Sequence, residues 1–141
     1  MITQTACTVF KSNMLKGLEN FNTGTPYTYK IALYTALADL GDNTTAYTTT
    51  NEVTGTGYTA GGVVLTPTTI LSDTEDNTAY LSFANVTLTP ASFTCRGALV
   101  YNSTTNAAVF VLNFGSDKTA TTSFTVQFPT ANSTSAILRI S

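Results

Sequence analysis

The sequence predicts an all-β fold, a β-sandwich or jelly roll of about eight strands with one N-terminal α-helix in front of it. Three observations predict it. Apolar residues recur at helical spacing only ahead of Gly24. After Pro26 they alternate with period two in short runs. Clusters of Gly, Asn, Asp, Ser and Thr then separate those runs, roughly every 8–12 residues.

The helix is expected from Cys7 or Thr8 up to Asn22-Thr23-Gly24, where glycine suits a left-handed cap. Phe10, Met14, Leu18 and Phe21, with Leu15 beside them, form one apolar stripe. A helix of about three to four turns does not stand alone in water, so the stripe packs on its own domain or on a neighbour. The first strand follows, with Tyr29, Ile31, Leu33 and Thr35 on one face and Lys30, Ala32, Tyr34 and Ala36 on the other. Further strands are expected at Val63–Leu71, Ala79–Phe83, Val86–Thr89, Phe93–Tyr101, Ala107–Phe114, Phe124–Phe128 and Ala136–Ile140. These runs are rich in Val, Ile, Phe, Tyr and Thr, which suit a half-buried pleat. Turns are expected at residues 41–43, 102–106 and 115–118. Residues 41–62 make a long connection of the kind that often carries an interaction, with a short helical turn expected around Ala46–Val53. No repeat or linker divides the chain, so residues 1–141 read as one domain, a helical arm over 1–24 and the β unit over 25–141.

Composition removes several functions. Of 141 residues 43% are apolar and only 10% charged, with a net charge of −2 and no His or Trp; ordinary domains carry about 25% charged residues. Threonine, 31 residues, takes the place of the charge. Six basic residues do not make the stripe that nucleic acid needs. The lack of histidine removes the usual triads, most catalytic zinc sites and the usual general base near neutral pH. No apolar run is long enough to span a membrane, and Lys11 and Lys16 interrupt any signal-peptide core. Cys7 and Cys95 read as reduced, partly buried thiols, with a disulfide between them as the alternative. No enzyme activity and no cofactor are expected.

The remaining motifs are weak. Gly55–Gly62 lacks the lysine of a P-loop and the strand and helix of a dinucleotide fingerprint, so it reads as a turn before a strand. Asp73, Glu75 and Asp76 lack the glycine turn and distal glutamate of a calcium loop, and read as a solvated hairpin. Asn43, Asn85, Asn102 and Asn132 match the glycosylation pattern about as often as chance provides. Arg96 shares a strand face with Thr94, Ala98 and Val100 and is expected in an ion pair between subunits, with Asp117 or Glu52 as the acid. Tyr34, Tyr47 and Tyr58 are candidate exposed aromatics for a sugar.

Several stretches together resemble small structural proteins of tailed-bacteriophage virions. Tyr29–Leu40 is similar to that group's first strand and turn, Asn51–Gly62 to its glycine-rich loop, and Arg96–Asn102 and Asn113–Lys118 to its later strand and turn. Phe124–Pro129 and Ala136–Ile140 extend the resemblance over nearly the whole chain. It implies a virion component made in the host bacterial cytoplasm, most readily a capsid cement or decoration protein. Such a protein is expected to form dimers or trimers and bind the major capsid protein, with no nucleic acid or membrane partner. A tail adaptor, tube or fibre-base subunit, and then a receptor- or glycan-binding module, are the alternatives. The expected contact residues are Phe10, Met14, Leu15, Leu18 and Phe21 of the stripe, Glu52 and Tyr58 of the 41–62 connection, and Arg96.

Overall fold

A computed structural model describes residues 1–141. The chain runs β1 (Thr5–Ala6), α1 (Thr8–Leu15), β2 (Tyr29–Tyr34), β3 (Val63–Val64), β4 (Leu71–Asp73), β5 (Thr78–Leu81), β6 (Val86–Leu88), β7 (Phe93–Asn102), β8 (Ala107–Ala120), β9 (Phe124–Val126) and β10 (Leu138–Ile140). It is mostly β, 41% strand, with one short helix. The strands form antiparallel sheets in the orders β1-β8-β7-β2-β3, β10-β5-β4 and β6-β9.

The centre of the five-stranded sheet carries the fold. β2 pairs with β7 from Tyr29↔Asn102 to Tyr34↔Gly97, and β7 pairs with β8 through Leu99↔Val111 and Val100↔Phe110. Directly opposed residues share a face. Tyr29, Ile31, Leu33, Val100 and Phe110 therefore point one way, and Ala32, Tyr34, Leu99, Tyr101 and Val111 the other. Residues 97–102 and 108–112 are buried on both faces, so alternation gives way there to a continuous apolar run. The first face meets Phe21, stacked on Tyr29 at 4.3 Å, and Phe83, which lies 6.3 Å from Phe110. The second face is covered by the 41–62 connection, where Tyr47 stacks on Tyr101 at 4.7 Å.

Five expectations change. The helix is half the expected length. Gly17 adopts φ +71, its NH donates to Met14 O and the Leu18 NH to Asn13 O, a left-handed cap that closes α1 at Leu15. The apolar spacing out to Phe21 concealed this stop. The residues before Pro26 are not an arm either: β1 is the edge strand beside β8, Ile2 bridges to Leu40, and Phe10 and Phe21 belong to the single core cluster. Residues 115–118 do not reverse the chain. Asn113 pairs with Gly97 and Lys118 with Cys95, so residues 114–117 bulge opposite Arg96 alone and the strand resumes. Gly115 at φ +81 supplies the bend and the strand ends only at Ala120. The expected helical turn at Ala46–Val53 is replaced by a strap with isolated bridges, Ala46 to Ala107 and Glu52 to Tyr34. The expected strand Val63–Leu71 breaks into β3 and β4.

Cys7 and Cys95 are free and fully buried. Burial pushes the Cys7 thiol up to about 11 and Cys95 to about 12, with Asp42 and Asp117 acting in the same direction. The folded chain thus holds two protons that the unfolded chain releases above the ordinary thiol value of 9.0. Their contribution to stability is fully present below pH 9 and is lost as pH rises through 11 and 12. Two results are expected: iodoacetamide at pH 8 leaves both thiols unmodified in the folded protein by intact mass, and the urea midpoint falls between pH 9 and 11. Rapid double alkylation without denaturant contradicts the burial.

Candidate interaction surface

The 41–62 connection is held by one carboxylate. Glu52 is buried, and its backbone bridges Tyr34 on the open edge of β2. Its Oε2 accepts from the Tyr47 hydroxyl at 2.6 Å, and its Oε1 from the Tyr58 hydroxyl at 2.6 Å and the Gly61 NH at 2.8 Å. A charged acceptor with three donors offsets much of the cost of its burial. The hydroxyls reach further. The Leu33 NH donates to Tyr58 at 2.9 Å, Tyr34 donates to Thr48 O and Tyr101 to Gly61 O. Burial, together with the neighbouring Glu52 charge, raises Tyr34, Tyr47, Tyr58 and Tyr101 above the usual phenol value. These phenols stay protonated and keep donating throughout the neutral range.

The glycines here make close approaches. Gly62 at φ +83 lies where a Cβ would stand 1.9 Å from Ile31 O, and Gly57 at φ +84 where it would stand 1.8 Å from Pro90 O. The segment is a fastened strap. Only its outer side, including Thr49, Thr50, Thr54 and Thr59, is exposed.

A second, half-buried carboxylate ties the segment after α1 to the sheet. Glu19 Oε2 accepts from the Tyr29 hydroxyl at 2.7 Å and Asn102 Nδ2 at 3.2 Å, while its Oε1 is buried without a partner. Neither carboxylate site has a local signature: Tyr47, Tyr58 and Gly61 are near Glu52 in sequence but meet it only once the connection folds back on β2, and Asn102 reaches Glu19 from another strand.

The expected contact residues separate into two groups. Phe10, Phe21, Glu52 and Tyr58 are interior and have partners within the chain. Tyr34, expected as an exposed aromatic, is likewise wholly buried, and Tyr47 is half-buried in its stack. Leu15 (91% exposed) and Leu18 (46%) face solvent, with Met14 half-buried between. The stripe therefore does not form one face: its two aromatics turn inward and its leucines outward. Arg96 pairs with Asp117 across the bulge at 3.4 Å, Arg96 half-buried and Asp117 exposed. The expected pair lies within one chain, and Glu52 is not its acid. Such a pair contributes about 0–1 kcal/mol.

Two depressions accompany these features. An open polar one of about 690 Å³ is bordered by Thr3, Thr5, Asp39, Asp42, Asn43 and Thr45. An apolar groove of about 140 Å³ lies between α1 and the β10-β5-β4 sheet, lined by eight apolar residues including Met14, Phe21, Ile70, Leu81, Leu138 and Ile140. No group of His, Cys, Asp or Glu is arranged to hold a metal ion.

No protein-family model matches the chain, and neither the curated proteins nor the solved structures contain a match.

Proposed function

We propose that this chain is a structural protein of a tailed-phage virion, a capsid cement or decoration protein that oligomerises and binds the outside of the head shell. The observation that carries the reading is where the phage-like stretches lie. Tyr29–Leu40, Asn51–Gly62 and Arg96–Asn102 are far apart in sequence, yet they supply β2, the strap on its edge and the half of β7 paired with it. A resemblance spread over one packed unit concerns a whole scaffold, not a stray motif. The finer architecture belongs to the same proposal: the five-stranded sheet against the two smaller sheets, closed by Phe21, Phe83, Phe110 and Phe128, forms an irregular sandwich.

Composition supports an assembling subunit. A surface of threonine, with few charges, resists association less than a charged one, and many weak contacts on a shell add through effective concentration. The test is binding to purified head shells lacking this protein, followed by reconstruction. Added density on the capsid exterior is expected. Density or antibody label on the tail instead would support an adaptor or tube subunit, and absence from the virion ends the proposal.

A further inference from the structure

The groove between α1 and the β10-β5-β4 sheet combines two features that independently point to the same occupant. Its walls are apolar throughout, and Ile70 and Ile140 on the sheet side remain 44% and 54% exposed. Leu15, the last residue of α1, and Leu18, just past it, are exposed as well. Leu15, Leu18, Ile70 and Ile140, four of the eight large exposed apolar side chains, lie at the end of α1, just past it, or along the groove side of this sheet, a concentration that marks an interaction surface.

The second feature is charge. Lys11 sits one turn from Met14 on α1 and Lys16 is the residue after its last turn. Asp73, Glu75 and Asp76 occupy the β4–β5 hairpin, starting one register step beyond Ala79, which lines the groove. None of these five takes part in an ion pair: the two in the chain are Met1–Asp39 and Arg96–Asp117. On the groove side, the charges without an ion pair are positive along and just past the helix and negative at the hairpin end of the sheet, while Arg139 alternates to the other face of β10 and donates to Thr134 O. A surface bearing both signs around one apolar groove complements itself.

We propose that a second copy of this chain docks on this groove about a two-fold axis, with the acidic hairpin of each chain against Lys11 and Lys16 of the other. Such an arrangement buries Ile70 and Ile140 at the centre and leaves the ion pairs on the rim, the usual anatomy of an interface. The inference names the copy-to-copy face of the oligomer proposed above and rests on that reading for its purpose. Its own test uses the isolated protein, so that failure to bind shells and failure to dimerise are separate results.

Sedimentation equilibrium of the full chain is expected to give a dimer. Ile140→Glu places a carboxylate in the apolar centre and is expected to give a folded monomer, with the wild-type circular dichroism spectrum and a melting temperature that no longer depends on protein concentration. The double variant Lys11→Glu, Lys16→Glu weakens the dimer about tenfold or more by setting like charges together, and so does Glu75→Lys with Asp76→Lys. An equimolar mixture of the two double variants restores dimer as a heterodimer in which one of the two rim contacts has its signs exchanged and attractive. All four substitutions in one chain restore a homodimer. A wild-type chain that stays monomeric overturns the proposal and leaves the groove to a different partner. A dimer that persists in Ile140→Glu, or charge variants that fail to rescue one another, overturn it as well.

Discussion

Replacing Glu52 with alanine is expected to lower the thermal midpoint by about 10–15 °C, reflecting a loss of about 3–5 kcal/mol. The substitution removes the acceptor for Tyr47, Tyr58 and the Gly61 NH at once. Tyr58 is buried, so water does not replace the carboxylate without opening the strap. Glu52→Gln retains one carbonyl acceptor, and its amide can donate to a tyrosine hydroxyl, so it costs about 1–2 kcal/mol. Tyr58→Phe removes one donor to Glu52 and the acceptor of the Leu33 NH, a loss of about the same size. The order Ala, then Gln or Phe, is the signature of a carboxylate acting as a common acceptor. A Glu52→Ala protein that melts within 2–3 °C of the wild type, roughly the effect of 1 kcal/mol, shows that packing and the strap's backbone hydrogen bonds to Leu33, Thr35 and Ala108 hold it without the carboxylate.

The clasp also shows which parts of this molecule were legible in the sequence. Short runs of β-branched and aromatic residues between turn clusters located β2, β5, β6, β7, β9 and β10 to within a few residues, whether one face is covered or, as in β2 and β7, both. Alternation also assigned Arg96 to the face away from Cys95, and Asp117 was one of two acids expected near it. Whether that acid sits in the same chain depends on a four-residue bulge, and Gly115-Ser116-Asp117-Lys118 has the composition of a chain reversal. Turn residues state that the backbone bends, not whether it returns. The helix end was lost for a related reason. Leu18 and Phe21 keep the helical spacing after Gly17 has already ended the helix, so periodicity outweighed the cap. The clasp was not legible at all. In sequence Glu52 and Tyr58 read as contacts of the long 41–62 connection, with Glu52 also a possible acid for Arg96, whereas both are interior. The burial of Glu52 follows from three donors brought together by the strap's return to β2, a tertiary arrangement that no local pattern encodes.

That return sets the second large effect. Gly62→Ala is expected to cost about 3–5 kcal/mol and to lower the midpoint by about 10–15 °C. Two penalties add. Alanine at φ +83 is disfavoured by about 1–2 kcal/mol. The new methyl would also meet Ile31 O at 1.9 Å, Ile31 C at 2.6 Å and Ala32 Cα at 2.9 Å, all backbone of β2. No rotamer relieves a contact between a Cβ and a strand's backbone, so the strap must lift. Lifting it withdraws Gly61 from both the Tyr101 hydroxyl and Glu52, which links this substitution to the clasp. Gly24→Ala separates the two penalties: Gly24 has φ +79, but nothing lies within 4 Å of its Cβ position. It is expected to cost only the backbone share, about 1–2 kcal/mol. Urea unfolding of both variants measures the difference, and combining Gly62→Ala with Glu52→Ala should cost clearly less than the sum of the two, since each releases the same strap. Equal losses at Gly62 and Gly24, or strict additivity of Gly62→Ala and Glu52→Ala, would mean that the strap and the sheet edge are not packed as one unit.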